Sequence, residues 1–302
     1  MDIVYKKARA KVNLTLNVTG QRDDGYHNIQ SVFQMISLYD ELWVEKTDGS
    51  GIEIVCDHPG LCGEGNIIHK AYGLMRQRYP QIKGVKVTLN KKIPMQAGLG
   101  GGSSDCADFL VALNELYHLN LCQRELVRLG EGLGADVPPC LNTGAVLGEG
   151  IGEKVTPIAA GMKCYFVIIK PEASFSTQKM YQRIDQKAGV VQPNHTGQMI
   201  QALKSRNLQK LCANLYNVFE EVLDKDSVVF QIQSELSGLG ALGTLMAGSG
   251  SCIFGIFESK ASAGYAYGRL RQRHQAYIAV SYNQSRRKAG IIKAAHTRGR
   301  SS

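Results

Sequence analysis

The chain has a single tryptophan in 302 residues and no apolar run approaching the length of a membrane helix. Its opening residues lack the apolar stretch of a secretory signal, so a cytoplasmic protein without a membrane partner is expected. No C-x-x-C pair occurs among the eight cysteines, and the seven histidines show no paired metal spacing. Several of the cysteines lie inside apolar segments. Buried, reduced thiols are expected in place of disulfides or zinc. Acidic residues are missing altogether from Lys260 to Ser302, a stretch that holds ten Lys and Arg. The net charge of +9 is therefore a property of the C-terminus, and the rest of the chain is close to neutral. Residues 286–302, with Arg286, Arg287, Lys288, Arg298 and Arg300, read as a basic, flexible tail. The tail has no interleaved aromatics to stack on bases, and no nucleic-acid partner is expected.

Two common nucleotide signatures are also missing. Walker A needs a Lys directly after its glycines, and none follows here. A G-x-G-x-x-G spacing occurs only at Gly238, Gly240 and Gly243, between a helical stretch and a strand-like run, which is the reverse of the dinucleotide order; it reads as a turn. What the chain does have is Pro94-Met95-Gln96-Ala97-Gly98-Leu99-Gly100-Gly101-Gly102-Ser103-Ser104-Asp105. Four glycines in five positions would weaken any regular element, because glycine loses the most backbone entropy on ordering. They suit a loop whose peptide N–H groups must stay unobstructed. Cys106, Leu110, Leu113 and Tyr117 then recur at helical spacing, so the loop feeds an amphipathic helix. A helix start carries unpartnered N–H groups and partial positive charge, which suits a phosphate. Ser103, Ser104 and Asp105 are good capping residues for it.

With 44% hydrophobic and 20% charged residues, the composition is that of an ordinary globule large enough for two domains. Lys7 to Val18 alternates polar and apolar residues, placing Lys11, Asn13, Thr15 and Asn17 on one face of a strand. A turn-rich loop from Gly20 to His27 follows, then strand patterns at about 31–45 and 83–89 and helical ones at about 67–78 and 122–133. This order describes an α+β fold without parallel Rossmann repetition. Asp136, in Gly134-Ala135-Asp136-Val137-Pro138, reads equally as a helix cap and as a carboxylate facing the glycine loop. A boundary near Val155–Ile158 divides residues 1–156 from 157–285. The second part opens on a strand at 163–171, followed by Ser174, Ser176 and Thr177 before a helix. Late in the chain, Ala247-Gly248-Ser249-Gly250-Ser251 precedes an apolar strand, where glycines permit close backbone approach.

In combination, a strand lysine at position 11, the glycine loop and the late Gly-Ser-Gly group resemble the galactokinase, homoserine kinase, mevalonate kinase and phosphomevalonate kinase superfamily. Within it, Lys11-Val12-Asn13-Leu14, Asp24-Gly25-Tyr26-His27, Gly98–Asp105, Gly134–Pro138 and Ala247–Gly250 are similar to the kinases of a cytidine diphosphate-linked methylerythritol. The resemblance runs from about Lys7 to Phe257 and leaves out the basic tail. It implies an N-terminal domain like ribosomal protein S5 domain 2, a ferredoxin-like C-terminal domain, and a site between them. The reaction implied is transfer of the ATP γ-phosphate to the C2 hydroxyl of that substrate, in the non-mevalonate isoprenoid route. Asp136 would be the base and Lys11 its electrostatic partner. The 94–104 loop would bind ATP, with Asn66 near the adenine. Asn13 and Thr177 would lie around the substrate hydroxyls and phosphates, and Tyr26 and His27 at the cytidine. Mg²⁺ is implied by ATP; Asp105 is the nearest candidate ligand, and a capping role explains it equally well. A mevalonate- or homoserine-type kinase is the alternative, with an RNA-binding protein acting through the basic C-terminus behind it.

Overall fold

A computed structural model of the chain describes residues 2–158, 161–187, 195–283 and 292–293. Strands β1 (Asp2–Gln21) and β2 (His27–Lys46) form a long antiparallel ladder around the Arg22–Tyr26 turn. From Ala10 to Val18 every residue of β1 is buried, so its polar face is covered as fully as its apolar one. Register shifts between Arg9 and Lys11 and between Asn13 and Thr15 mark bulges, which re-aim side chains locally.

β3 (Ile52–Cys56), α1 (Ile67–Arg78), β4 (Val85–Asn90), α2 (Gly101–Leu116), α3 (Gln123–Glu131), α4 (Val137–Cys140), β5 (Ala145–Glu149) and β6 (Lys154–Ile158) complete the first layer. Its sheet runs β1-β2-β4-β3, with β5 also on β2 and β6 on β5. The inner residues of β2 and β4, such as Leu42, Val44, Val87 and Leu89, pack on the apolar stripes of α1 and α2. Helix α2 starts at Gly101, earlier than the expected caps. The capping position is Gly100 at φ +70°, so Ser103, Ser104 and Asp105 already lie inside the first turns. A Cβ at Gly100 would stand 3.0 Å from the Lys11 side chain, and glycine alone meets both the space and the dihedral.

The remaining elements are β7 (Tyr165–Lys170), α5 (Thr177–Gln186), α6 (His195–Lys204), α7 (Leu208–Ala213), β8 (Tyr216–Asn217), a 3₁₀ turn at Val218–Val222, α8 (Val228–Gly238), β9 (Gly243–Met246), β10 (Ile253–Phe257), α9 (Lys260–Leu270) and β11 (Gln275–Val280). Strands β7, β9, β10 and β11 form a second antiparallel sheet in the order β11-β7-β10-β9. With α8 and α9 as the crossovers, the chain path is βαββαβ, a ferredoxin-like arrangement. Val167, Ile169 and Phe257 pack against α8 and α9, while Phe166, Ile168 and Phe254 meet Val12, Leu14 and Ile36 of the first sheet. The short β8 pairs in parallel with β1, at Thr15↔Tyr216 and Leu16↔Asn217.

No disulfide joins any of the eight cysteines, and burial pushes the thiols of Cys106, Cys164 and Cys252 up to about 12. The basic tail expected at 286–302 lies outside the described residues except for the backbone of β12 (Ile292–Lys293), which pairs with Asp2 and Ile3 at the edge of β1. No helix among the described residues is long and apolar enough to cross a membrane.

Candidate active site

The glycine loop is gripped from both sides. Lys11 N–H donates to Leu99 O at 2.9 Å, Ser104 Oγ donates to Arg9 O at 2.7 Å, and Cys252 N–H donates to Ala97 O at 3.1 Å. The approach of the 247–250 turn is so close that a Cβ on Gly98 would fall 1.9 Å from Ala247 O. Gly98 itself has φ +76°. The late Gly-Ser-Gly group is thus packed on the first glycine loop, at the turn between the paired strands β9 and β10.

These backbones form one wall of a cleft of about 1210 Å³ between the two sheets. A single small-molecule ligand typically fills ~300–1,000 Å³, so this cleft has room for a nucleotide and a second ligand. Gln96, Gly98, Gly100 and Ser103 face it, at the positive end of α2. Pro94, Met95, Ala97, Leu99, Gly101, Gly102 and Ser104 belong to the same loop but do not line the cleft; Ala97, Leu99 and Ser104 are buried beneath it.

Lys11 and Asp136 meet on the floor. Asp136 holds the capping position of α4, yet its carboxylate makes no capping hydrogen bond. Its Oδ2 lies instead 3.2 Å from Lys11 Nζ. Lys11 is 3% exposed and Asp136 36%, so the cation is enclosed while the carboxylate reaches the cleft. A second Lys11 proton goes to Asn13 Oδ1 at 2.9 Å, and the ammonium stands 5.4 Å from the centre of the Phe33 ring.

Tyr26 is 62% exposed on the cleft rim. His27 is buried, with Nε2 2.6 Å from Asp185 Oδ1 and its ring stacked 4.6 Å from Tyr181. Tyr181 in turn meets the Phe219 ring edge-on at 5.0 Å. Burial and the nearby Asp136 charge push the Tyr181 hydroxyl up to about 12, so it remains a neutral phenol. Thr177, the first residue of α5, shares a 2.7 Å hydroxyl contact with Ser249. The cleft therefore gathers Lys11, Asn13, Tyr26, His27, Asp136 and Thr177 from four separate segments.

Asn66 does not join them. Its Oδ1 accepts from Ile68 N–H and its Nδ2 donates to Leu61 O, so its amide caps α1. Asp105 is also turned away: its Oδ2 lies 2.6 Å from Lys91 Nζ, which also pairs with Asp40, in a cluster buried beside the loop. Burial holds the Asp105 carboxyl well above the usual carboxylate range, against the pull of Lys91. Sequence reasoning did not single out Phe175, Tyr181, Gln182 or Asp185, all of which line the cleft. Gln178, Tyr181, Gln182 and Asp185 share one face of α5 at helical spacing, and that stripe was the available signal.

An N-terminal layer holding a glycine loop before a helix, packed on a ferredoxin-like domain with a lysine–carboxylate pair between them, defines an ATP-dependent small-molecule kinase. Residues 66–144 match the GHMP kinases N terminal domain, and residues 199–275 match GHMP kinases C terminal. The chain is 42% identical to the 4-diphosphocytidyl-2-C-methyl-D-erythritol kinase of Acetivibrio thermocellus, over 90% of this chain and 96% of that protein. It is 42% identical to the enzyme of the same name from Caldicellulosiruptor saccharolyticus, over 88% and 92%. A solved 4-(cytidine 5'-diphospho)-2C-methyl-D-erythritol kinase superposes with a TM-score of 0.80 at 32% identity, covering 93% of this chain and all of that one. The mevalonate kinase of L. major, at 20% identity and TM-score 0.74, shares the fold. The chain belongs to the GHMP kinase family, among the 4-diphosphocytidyl-2-C-methyl-D-erythritol kinases.

Proposed function

We propose that the chain transfers the γ-phosphate of ATP to the C2 hydroxyl of 4-diphosphocytidyl-2-C-methyl-D-erythritol. The observation that carries this reading is the Lys11–Asp136 pair, set 3.2 Å apart on a cleft whose facing wall is the start of α2. Asp136 Oδ takes the hydroxyl proton as the alcohol oxygen attacks the γ-phosphorus and the bond to ADP breaks. A positioned base of this kind contributes about 10²–10⁴-fold. Lys11, held by Asn13, aims positive charge at the same point, and the peptide groups of Gly98, Gly100 and Ser103 hold the triphosphate in line. At the other end, Tyr26 and His27 take the cytosine, with Tyr181 supporting the His27 ring. Because Asp185 engages Nε2, Nδ1 is the ring nitrogen left for the base edge. Thr177 and Ser249 sit where substrate phosphates or hydroxyls pass.

Mg²⁺ would enter with ATP. No group of three or more His, Cys, Asp or Glu among the described residues is arranged to hold a metal, and Asp105 is already engaged by Lys91. The described residues build no metal cage, and on this reading phosphate oxygens carry most of the cation's coordination. We place the domain boundary at 156/157, inside β6 and just before the crossing to β7, and the enzyme in the cytoplasm.

The test is ADP release from ATP and Mg²⁺ with the cytidyl substrate, beside mevalonate and homoserine as competing acceptors. Turnover with the cytidyl substrate alone is expected. Turnover with another of these alcohols would keep the loop and Asp136 but discard the cytidine site.

A further inference from the structure

Behind Lys11 lies a buried relay of hydrogen bonds whose direction is fixed by counting protons. A serine hydroxyl has one proton to give. Ser31 Oγ gives it to the Thr15 carbonyl at 2.6 Å. Toward Asn13, 2.8 Å away, the same oxygen acts as an acceptor, so Asn13 presents its amide nitrogen to Ser31. The amide oxygen is then turned to Lys11 Nζ at 2.9 Å. With two of its protons directed to Asn13 and Asp136, the ammonium keeps the third for the cleft. Ser31, Asn13 and Lys11 are 0%, 2% and 3% exposed, so water does not replace a missing partner.

We propose that Ser31 is a positioning residue for phosphoryl transfer: it fixes the orientation of the Asn13 amide and, through it, the aim of Lys11 at Asp136. This rests on the role proposed above for the Lys11–Asp136 pair. Ser31 lines no part of the cleft and acts only through Asn13. Without the serine hydroxyl, the Asn13 NH₂ would be a buried donor with no acceptor. An amide left without that acceptor no longer has its orientation fixed, and a turn of the amide draws Oδ1 away from Lys11.

The test compares Ser31→Ala, Ser31→Thr, Asn13→Ala and the double variant. One readout is the isotope-labelled NMR signal of the Asn13 side-chain amide, assigned by its loss in Asn13→Ala. The other is steady-state ADP release. In Ser31→Ala the Asn13 amide protons should exchange with water about tenfold faster, and kcat should fall about tenfold with the ATP KM held. Ser31→Thr, which keeps the hydroxyl, restores both. In the Asn13→Ala background, adding Ser31→Ala changes kcat by less than about twofold, since residues acting through one another are not additive. An Asn13 signal unchanged in Ser31→Ala overturns the proposal. So does a full, additive kcat loss in the double variant, which marks general destabilisation. An unmodified chain that releases no ADP with the cytidyl substrate would overturn the kinase reading instead, and the amide signal alone then decides whether Ser31 orients Asn13.

Discussion

At the scale of single residues, the cleft is governed by groups that forgo their local uses. Asp136 stands where a carboxylate ordinarily caps a helix, yet it faces Lys11. Replacing it with Ala should lower kcat by at least about 10²-fold with little change in ATP affinity, because the proton acceptor is lost and the phosphate cradle is kept. Near-normal ADP release in Asp136→Ala would remove it from the reaction. Gly98 is constrained in a different way. An added Cβ would collide with the Ala247 carbonyl at 1.9 Å, and the backbone would be held at φ +76°. Gly98→Ala should therefore cost about 1–3 kcal/mol of stability and weaken ATP binding together. Thermal melts and nucleotide titration check both, and an unshifted melting point would mean that the 247–250 turn yields freely.

Among the elements, the end of β9 and the 247–250 turn owe their place to β8 and the 3₁₀ turn that follows it. Asn217 Nδ2 donates to both Met246 O and Gly248 O at 2.8 Å, and Glu220 Oε1 accepts from Met246 N–H at 2.6 Å and from Gln233 at 2.8 Å. Burial raises Glu220 from 4.5 to about 7, outweighing the hydrogen bonds that favour its ionised form. Between those two values the folded chain binds more protons than the unfolded one. The contribution of Glu220 to stability is therefore greatest in mild acid, declines as pH rises towards 7, and levels off above it. At about 1.4 kcal/mol per pH unit, the decline approaches about 3 kcal/mol. Glu220→Gln should abolish it. Urea unfolding of both proteins across this range checks the sign; parallel stability curves for the two would show that Glu220 ionises normally.

For the molecule as a whole, the cleft exists because β1 is covered on both faces, by the α1–α4 layer and by the second sheet. Every residue placed in the reaction lies between Lys11 and Gly250. Ending the chain after Asn283 should accordingly leave kcat and KM within about twofold, as expected when a terminal segment lies outside the site. Loss of turnover on that truncation would give the basic C-terminus a part in the activity.

Much of this was legible from local pattern. Alternation gave β1 and β2, helical spacing gave α1 at about 67–78, where the helix runs Ile67–Arg78, and the glycine run gave the loop that feeds α2. These are signals between near neighbours, which period and backbone entropy determine. The start of α2 was misplaced because it depends on Gly100 lying against Lys11, a contact 89 positions away in the sequence. Asn66 and Asp105 illustrate the same limit: a lone polar residue does not reveal whether its partner will be a helix amide, a buried lysine or a ligand. The sequence by itself determined the first strands and helices of the N-terminal layer, the glycine loop ahead of a helix, and which chemistry was available. Only the tertiary structure decided that Asp136 faces Lys11 and that Tyr181 backs His27, because both pairings arise where the packed sheets bring distant segments within a few ångströms.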